Sequence, residues 1–269
     1  MQQFWFDRFL CRVFTYDSEA AWTLKGGVSL LARVNEARST QDIDFTVDAE
    51  DVSSVIDELV GIAARDLGDH VTFEARRQPT VILGQGEHVT GRRVSFVGRC
   101  GGHEVARFHV DVVVAPAPVG KVVSLPPQNR ATLNKPLPTT NYRLFPVEDH
   151  LAEKMAAKLA HVRGDENTRV KDLVDIVIMS RTQEFDLGKL REALAVAFLR
   201  ANATIPQRVK VPSRWRASFA GSAAGTMIAG MSFDDALSEA QIFLGPVLTS
   251  TDSAALEPSQ SLHDVAARE

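Results

Sequence analysis

The 269-residue sequence has little cysteine, no long apolar run and no large excess of charge of either sign. Its 2 cysteines, Cys11 and Cys100, are far apart and form no metal-ligand spacing, which favours a reducing, cytoplasmic setting. No apolar run approaches the roughly 20 residues of a transmembrane helix, so we expect no membrane partner. The net charge of −4 argues against a protein that coats nucleic acid by bulk charge, but it leaves room for a local basic groove.

The composition is that of an ordinary globular protein, with 45% hydrophobic and 24% charged residues. Residues 1–146 mix helical and strand-like patterns, whereas residues 147–248 show one helical pattern after another. Residues 249–269 are rich in Ser, Ala and Asp and are predicted to form a flexible tail. The sequence therefore predicts an α+β protein, in which a mixed β-sheet domain flanked by helices precedes an all-helical C-terminal domain.

Hydrophobic periodicity predicts the individual elements. Helices are predicted over 3–14, 28–34, 50–66, 147–162, 168–180, 187–200 and 232–245. Strands are predicted over 20–24, 42–47, 70–75, 93–97, 105–114 and 142–144, and the proline-rich segment 115–140 is predicted to be a mostly extended connection.

Three aspartates on predicted strands suggest a metal site. Asp42 and Asp44 are two apart, so a strand directs both carboxylates to the same face. Neighbouring carboxylates repel each other unless a cation lies between them, and Mg²⁺ is the usual cation for such oxygen ligands. Asp111 is an acid in an otherwise apolar strand, and it is the candidate for a third carboxylate in a site for two metal ions.

A glycine pair precedes the first predicted acidic strand. Gly26 and Gly27 lack Cβ atoms, so their backbone can approach a phosphate closely, and the helix that begins there presents its positive end. The hydroxyl of Ser29 could add a contact. A glycine turn that opens a helix, an Asp-x-Asp strand and a later strand acid together form a layout for metal-dependent nucleotidyl transfer from a nucleoside triphosphate (NTP).

The helical half carries a second group of charged residues. Lys154 could contact a triphosphate as a point charge. Asp172 and Asp175 are three apart and share a helix face, so that either could orient Lys154 or act as a base toward an incoming hydroxyl. Arg38, just before the Asp-x-Asp strand, is either a phosphate contact or an ordinary loop charge.

These residues carry a resemblance to a known family. Gly26-Gly27 followed by Asp42-Ile43-Asp44 resembles the signature of the DNA polymerase β-type nucleotidyltransferases. The segments LKGGVSLL, RSTQDIDF, AEKMAAKL and RVKDLVDI are similar to the AbiEii/MenT family, whose members are nucleotidyltransferase toxins of bacterial toxin–antitoxin systems. The resemblance runs from about Phe4 to about Met179 and implies a nucleotidyltransferase fold for the first domain.

The resemblance also implies roles for particular residues. It implies a catalytic set of Asp42, Asp44, Lys154 and Asp172, a nucleotide-binding set of Gly26, Gly27, Ser29, Arg38, Lys154 and Asp175, and a metal set of Asp42, Asp44 and Asp111. It further implies Mg²⁺ as cofactor, an NTP as substrate, an RNA acceptor such as a tRNA 3′ end, a block of translation, and a cognate antitoxin as partner.

Two other functions remain open on sequence grounds. An antibiotic-modifying nucleotidyltransferase would use the same metal site with an acidic acceptor pocket, and a non-catalytic regulatory protein could keep the fold alone. The basic stretch around Trp215, which contains Arg208, Lys210, Arg214 and Arg216, suits irregular RNA or is a solvated loop. The 7 histidines show no zinc-binding spacing.

Overall fold

The computed structural model describes residues 2–16, 22–76, 79–83, 90–130, 136–160 and 169–249. Within these ranges, one mixed sheet of eight strands is followed by a helical region. This arrangement confirms the predicted α+β fold class. The predicted tail over 249–269 lies outside the described residues except for Thr249.

The sheet places the predicted acidic strands at its centre. The strands are β1 (Thr23–Lys25), β2 (Asp42–Val47), β3 (Val71–Ala75), β4 (Thr80–Leu83), β5 (Thr90–Cys100), β6 (His103–Val114), β7 (Val123–Leu125) and β8 (Tyr142–Leu144). Their order is β3-β5-β6-β2-β1-β8-β7, with β4 paired to β5. The pairs β2–β6 and β1–β8 are parallel, and the other pairs are antiparallel.

The helices flank this sheet and form the second half of the chain. They are α1 (Gln2–Tyr16), α2 (Gly26–Arg33), α3 (Val52–Ala63), α4 (Val147–Ala160), α5 (Val170–Thr182), α6 (Leu187–Arg200), α7 (Arg216–Ala223) and α8 (Phe233–Thr249). The sequence predicted most of these elements, but it missed β4, β7 and α7. It also ended α8 at 245, whereas the helix continues through Pro246 because Val247 and Leu248 bury against the helical core.

Apolar and polar side chains alternate along β2, so that its two faces differ in character. Ile43, Phe45 and Val47 are buried in the core that the sheet shares with α1 and α3, so Asp42 and Asp44 lie on the opposite face. Helix α2 joins this core to the helical one, because its Val28 packs into the sheet core and its Leu30 into the helical core.

Helix α1 buries several of its charged residues. Arg12 is fully buried and donates two hydrogen bonds to Asp69, at 3.1 and 2.7 Å. Asp7 accepts hydrogen bonds from Arg130, at 2.9 Å, and from the hydroxyl of Tyr142. Each buried charge therefore has a partner, which ties α1 to the sheet and to the segment before β8.

None of the helices in the described part of the chain combines the length and the hydropathy that crossing a bilayer requires.

Candidate active site

A row of four charged residues crosses the centre of the sheet. The strand registers place Arg93 of β5 opposite Asp111 of β6, Asp111 opposite Asp44 of β2, and Asp44 opposite Lys25 of β1. The row therefore runs cation, acid, acid, cation across four neighbouring strands. Asp42 is two residues before Asp44 on the same face, so the register brings together the three predicted aspartates.

The glycine turn lies directly against this row. Gly26 follows Lys25, has a φ of 64°, and begins α2. A Cβ atom at Gly26 would collide with Oδ2 of Asp44. Both the left-handed backbone and the close approach of Asp44 require glycine at this position.

Gly26→Ala is therefore expected to disturb the site. The substitution strains the backbone by about 1–3 kcal/mol and pushes the Asp44 carboxylate away. We expect a lower urea midpoint together with a loss of any nucleotide transfer. Gly61→Ala is the matched control, because a Cβ added at Gly61, in the last turn of α3, meets no neighbouring group within 4 Å. It should stabilise the protein by about 0.5–1 kcal/mol. Equal effects of the two changes would contradict this role for Gly26.

Asp44 carries a negative charge that its surroundings do not balance. Burial, followed by the carboxylate of Asp111, raises the pKa of Asp44 to about 6, although Lys25 opposes the shift. Among the described residues, the Asp44 carboxylate has no hydrogen-bond or ion-pair partner within bonding distance. An acid in this condition is suited to bind a cation.

The raised pKa predicts that Asp44 destabilises the free protein at neutral pH. Its ordinary pKa is 3.8, so between about pH 4 and 6 the folded chain holds more protons than the unfolded chain, and stability falls as pH rises. Asp44→Asn should therefore raise the free energy of unfolding at pH 7 by on the order of 2–3 kcal/mol. Urea unfolding at pH 7 and at pH 4 checks this: the gain should shrink at pH 4, and a gain independent of pH would contradict the assignment.

Lys154 belongs to a buried ion-pair network in the helical half. Its Nζ lies 3.1 Å from Oδ1 of Asp172 and 2.6 Å from Oδ2 of Asp175. Asp175 is fully buried and also accepts two hydrogen bonds from Arg38, at 2.9 and 3.0 Å. Burial acts to lower the pKa of Lys154, but Asp175 and Asp172 outweigh it, so the pKa is raised and the lysine stays charged.

A cavity of about 500 Å³ brings the two groups together between the sheet and the helices. Gly26 and Asp44 line it from the sheet side, and Lys154 and Asp172 line it from α4 and α5. Part of its wall is apolar and built of small residues of α4, of α6 and of the position just after α6: Ala156, Ala157, Ala193, Val196, Ala197 and Ala201. The volume is within the range of small-molecule sites, and the lining combines an apolar wall with a few charged groups, as such sites commonly do.

The other predicted residues lie beside the cavity lining. Ser29 is fully buried, and its Oγ has no hydrogen-bond partner among the described residues. Gly27 is buried, and a Cβ there would meet Thr40. Arg38 and Asp175 contact each other and do not line the cavity, so their geometry is that of residues that position Lys154.

Two residues that line the cavity, Lys25 and His150, were not predicted from the sequence as site residues. Lys25 lines the cavity and pairs with Glu153 of α4, at 2.9 Å. His150 of α4 also lines it and is 5% exposed, and its Nε2 has no hydrogen-bond partner among the described residues. Burial and then Lys154 hold the pKa of His150 well below its ordinary value, so this imidazole is neutral. Helical spacing could have predicted His150, because it is three residues before Glu153 and four before Lys154, and such residues share one face of a helix.

Of the two alternatives left open for the basic stretch around Trp215, the structure does not support an aromatic surface on which RNA bases could stack. Trp215 is 2% exposed and packs in the helical core. Arg216 forms an ion pair with Asp234 and lies over the ring of Phe233. Because the indole of Trp215 is packed in the core, RNA bases cannot stack on it.

The carboxylates fit a divalent cation, with one qualification. Asp42 and Asp44 share a face, and the unbalanced charge of Asp44 suits a hard cation. Asp111, however, is held by Arg93, and no group of three or more acid, His or Cys side chains within the described ranges is arranged as a metal site. The donor set therefore fits a cation bound by two carboxylates.

The glycine turn, the Asp-x-Asp strand and the lysine–aspartate pair around one cavity form an arrangement that suits nucleotidyl transfer. The chain matches, over residues 8–239, the family described as nucleotidyl transferase AbiEii toxin, type IV TA system. It belongs to this family and is therefore a nucleotidyltransferase toxin of a type IV toxin–antitoxin system, which implies an antitoxin as its partner.

Solved structures show similar but distant chains. MenT4, a nucleotidyltransferase toxin from Mycobacterium tuberculosis, is 17% identical with a TM-score of 0.47, and the match covers 90% of each chain. JHP933 from Helicobacter pylori is 12% identical with a TM-score of 0.45, and the match covers 92% of this chain and 91% of the other. No curated protein sequence matches this chain significantly.

Proposed function

We propose that this protein transfers a nucleoside monophosphate from an NTP to an RNA acceptor, with the tRNA 3′ end as the first candidate, and so blocks translation. The observation that carries the proposal is the single cavity lined by Gly26, Asp44, Lys154 and Asp172. Two halves of the chain supply these residues, and together they provide groups for a metal ion, a triphosphate and a hydroxyl acceptor.

Asp42 and Asp44 are the proposed ligands of Mg²⁺. Their carboxylates share a face of β2, and Mg²⁺ takes one or two carboxylates together with substrate phosphates. When bound, the metal ion would neutralise the triphosphate and favour departure of pyrophosphate. Asp44 gains most from it, because the cation offsets the two effects that raise its pKa, which are burial first and the carboxylate of Asp111 second.

The triphosphate is proposed to lie between the glycine turn and Lys154. The first turn of α2 has backbone N–H groups without partners in the helix, and Gly26 allows a phosphate to approach them. Lys154 supplies a positive charge from the opposite wall of the cavity. Asp175 and Arg38 hold that lysine in place from behind, which makes them positioning residues.

The acceptor hydroxyl attacks the α-phosphorus, so that a phosphorus–oxygen bond forms as the bond to pyrophosphate breaks. Asp172 lines the cavity, whereas Asp175 is fully buried, so Asp172 is the proposed acceptor of the hydroxyl proton. Ser29 is proposed to contact the nucleotide through its Oγ, which is buried and has no hydrogen-bond partner among the described residues.

Two points support RNA as the acceptor. The family consists of toxins, and transfer to a translation RNA explains growth arrest. Arg200, at the end of α6, lines the cavity, is exposed and has no ion-pair partner among the described residues, so it is available to a phosphate. Because the proposed acceptor is an RNA of translation, we propose that the protein acts in the cytoplasm.

Incubation with total RNA, Mg²⁺ and each of the four α-labelled NTPs tests the proposal. We expect label in an RNA band of tRNA size with at least one NTP, and none when EDTA replaces Mg²⁺. A parallel incubation replaces RNA by an aminoglycoside. Label in the aminoglycoside and none in RNA would contradict the proposed acceptor.

A further inference from the structure

Arg93 occupies a place among the aspartates that a second metal ion would otherwise take. Its Nε lies 2.6 Å from Oδ1 of Asp111, and its Nη2 lies 2.7 Å from Oδ2 of Asp111. The same Nη2 lies 3.6 Å from Oδ2 of Asp42. One guanidinium therefore bridges two of the three predicted metal ligands.

The strand register holds this contact in place. Arg93 and Asp111 are directly opposite each other on antiparallel strands β5 and β6. The sheet itself therefore brings the guanidinium and the carboxylate together. Two parallel, charge-assisted hydrogen bonds form a strong and directional pair. The Asp111 side chain is only 16% exposed, so the carboxylate end of the pair is largely shielded from water, while the Arg93 side chain is 40% exposed.

The pairing of the charged residues across the sheet shows which carboxylates lack a counter-charge that a metal ion could supply. Both oxygens of Asp111 accept from Arg93, and Asp42 lies at the edge of the same guanidinium. Asp44 is the member left without a bonded partner among the described residues. A divalent ion on Asp42 and Asp44 would meet this unbalanced charge, whereas a second one on Asp111 would lie against a fixed positive charge.

We propose that Arg93 is a built-in counter-ion that takes the place of one divalent cation, so that the site binds a single metal ion through Asp42 and Asp44. Asp111 then acts as a positioning residue that holds Arg93, which differs from the sequence-based prediction of Asp111 as a metal ligand. This inference rests on the proposed function, because it concerns the metal ion of the same site.

Counting Mn²⁺ sites by electron paramagnetic resonance, with the metal alone and no nucleotide, tests this inference. The wild-type chain should bind one Mn²⁺. Arg93→Met removes the guanidinium and frees Asp111, so it should bind two. The double variant Arg93→Met/Asp111→Asn should return to one, because the second site depends on Asp111. Arg93→Lys keeps the charge and should bind one.

The outcomes separate this inference from the function on which it rests. Two Mn²⁺ in the wild-type chain, or the same count in wild type and Arg93→Met, would overturn the role of Arg93 while leaving a metal-dependent enzyme. No Mn²⁺ in the wild-type chain would overturn the metal site itself, and both proposals with it. If Arg93→Met fails to fold, two Mn²⁺ in the wild-type chain would still overturn the inference.

Discussion

Asp44→Asn is expected to reduce nucleotide transfer to RNA by a factor on the order of 10³ or more. The substitution keeps the size of the side chain but removes the charge that would bind the metal ion, and metal ions contribute several kcal/mol to transition-state stabilisation. The measurement is the initial rate of label transfer from the preferred NTP, at saturating RNA. Induced expression in a bacterial host should lose any growth arrest in parallel.

Asp48→Asn is the matched control for this loss. Asp48 follows β2 directly, is exposed, and does not line the cavity. Its replacement changes the net charge by the same amount and should leave the rate within about twofold, since exposed charges act weakly. Because Asp44→Asn is also expected to be more stable at pH 7, its inactivity cannot come from unfolding. An Asp44→Asn protein with normal rates would remove Asp44 from the site.

The second large effect is on stability, at Asp175. Asp175→Asn should lower the free energy of unfolding by about 3–5 kcal/mol, because it leaves the buried Lys154 and the partly buried Arg38 without a full counter-charge. Asp175 is fully buried and Lys154 is 8% exposed, so water cannot compensate. Urea unfolding followed by circular dichroism measures the change.

An exposed ion pair of similar geometry provides the comparison. Arg181 and Glu239 join α5 to α8 through two hydrogen bonds of 2.7 and 2.6 Å. Glu239→Gln should cost less than about 1 kcal/mol, because the pair is solvent-exposed. If Asp175→Asn and Glu239→Gln cost the same, the network around Lys154 contributes no more than a surface pair.

Local patterns in the sequence sufficed for most of the fold. The alternation in Asp42–Val47 and the periodicity of 187–200 specify a strand and a helix directly, because one face of each is apolar and buried. Helix α7 was not predicted, because its sequence RASFAGSA is short and rich in small residues and therefore shows little hydrophobic periodicity. Strand β4 also escaped, because its four residues form a strand only by pairing with β5.

The site was predictable where its residues are close in sequence. The spacing of two between Asp42 and Asp44 predicts a shared strand face. The spacing of three between Asp172 and Asp175 predicts a shared helix face. Arg93 gave no such signal, because its contact with Asp111 depends on the register of β5 against β6. The pairing of Arg38 with Asp175 joins residues 137 positions apart, and no local pattern encodes it.

The most direct test of the account is the metal dependence of NTP binding by the wild-type chain. Isothermal titration with a non-hydrolysable NTP analogue should show one site per chain in Mg²⁺ and at least about tenfold weaker binding in EDTA. Asp44→Asn should bind the analogue equally weakly with and without Mg²⁺. Tight binding that ignores EDTA and survives Asp44→Asn would contradict the claim that the acidic strand and the glycine turn form a metal-dependent triphosphate site.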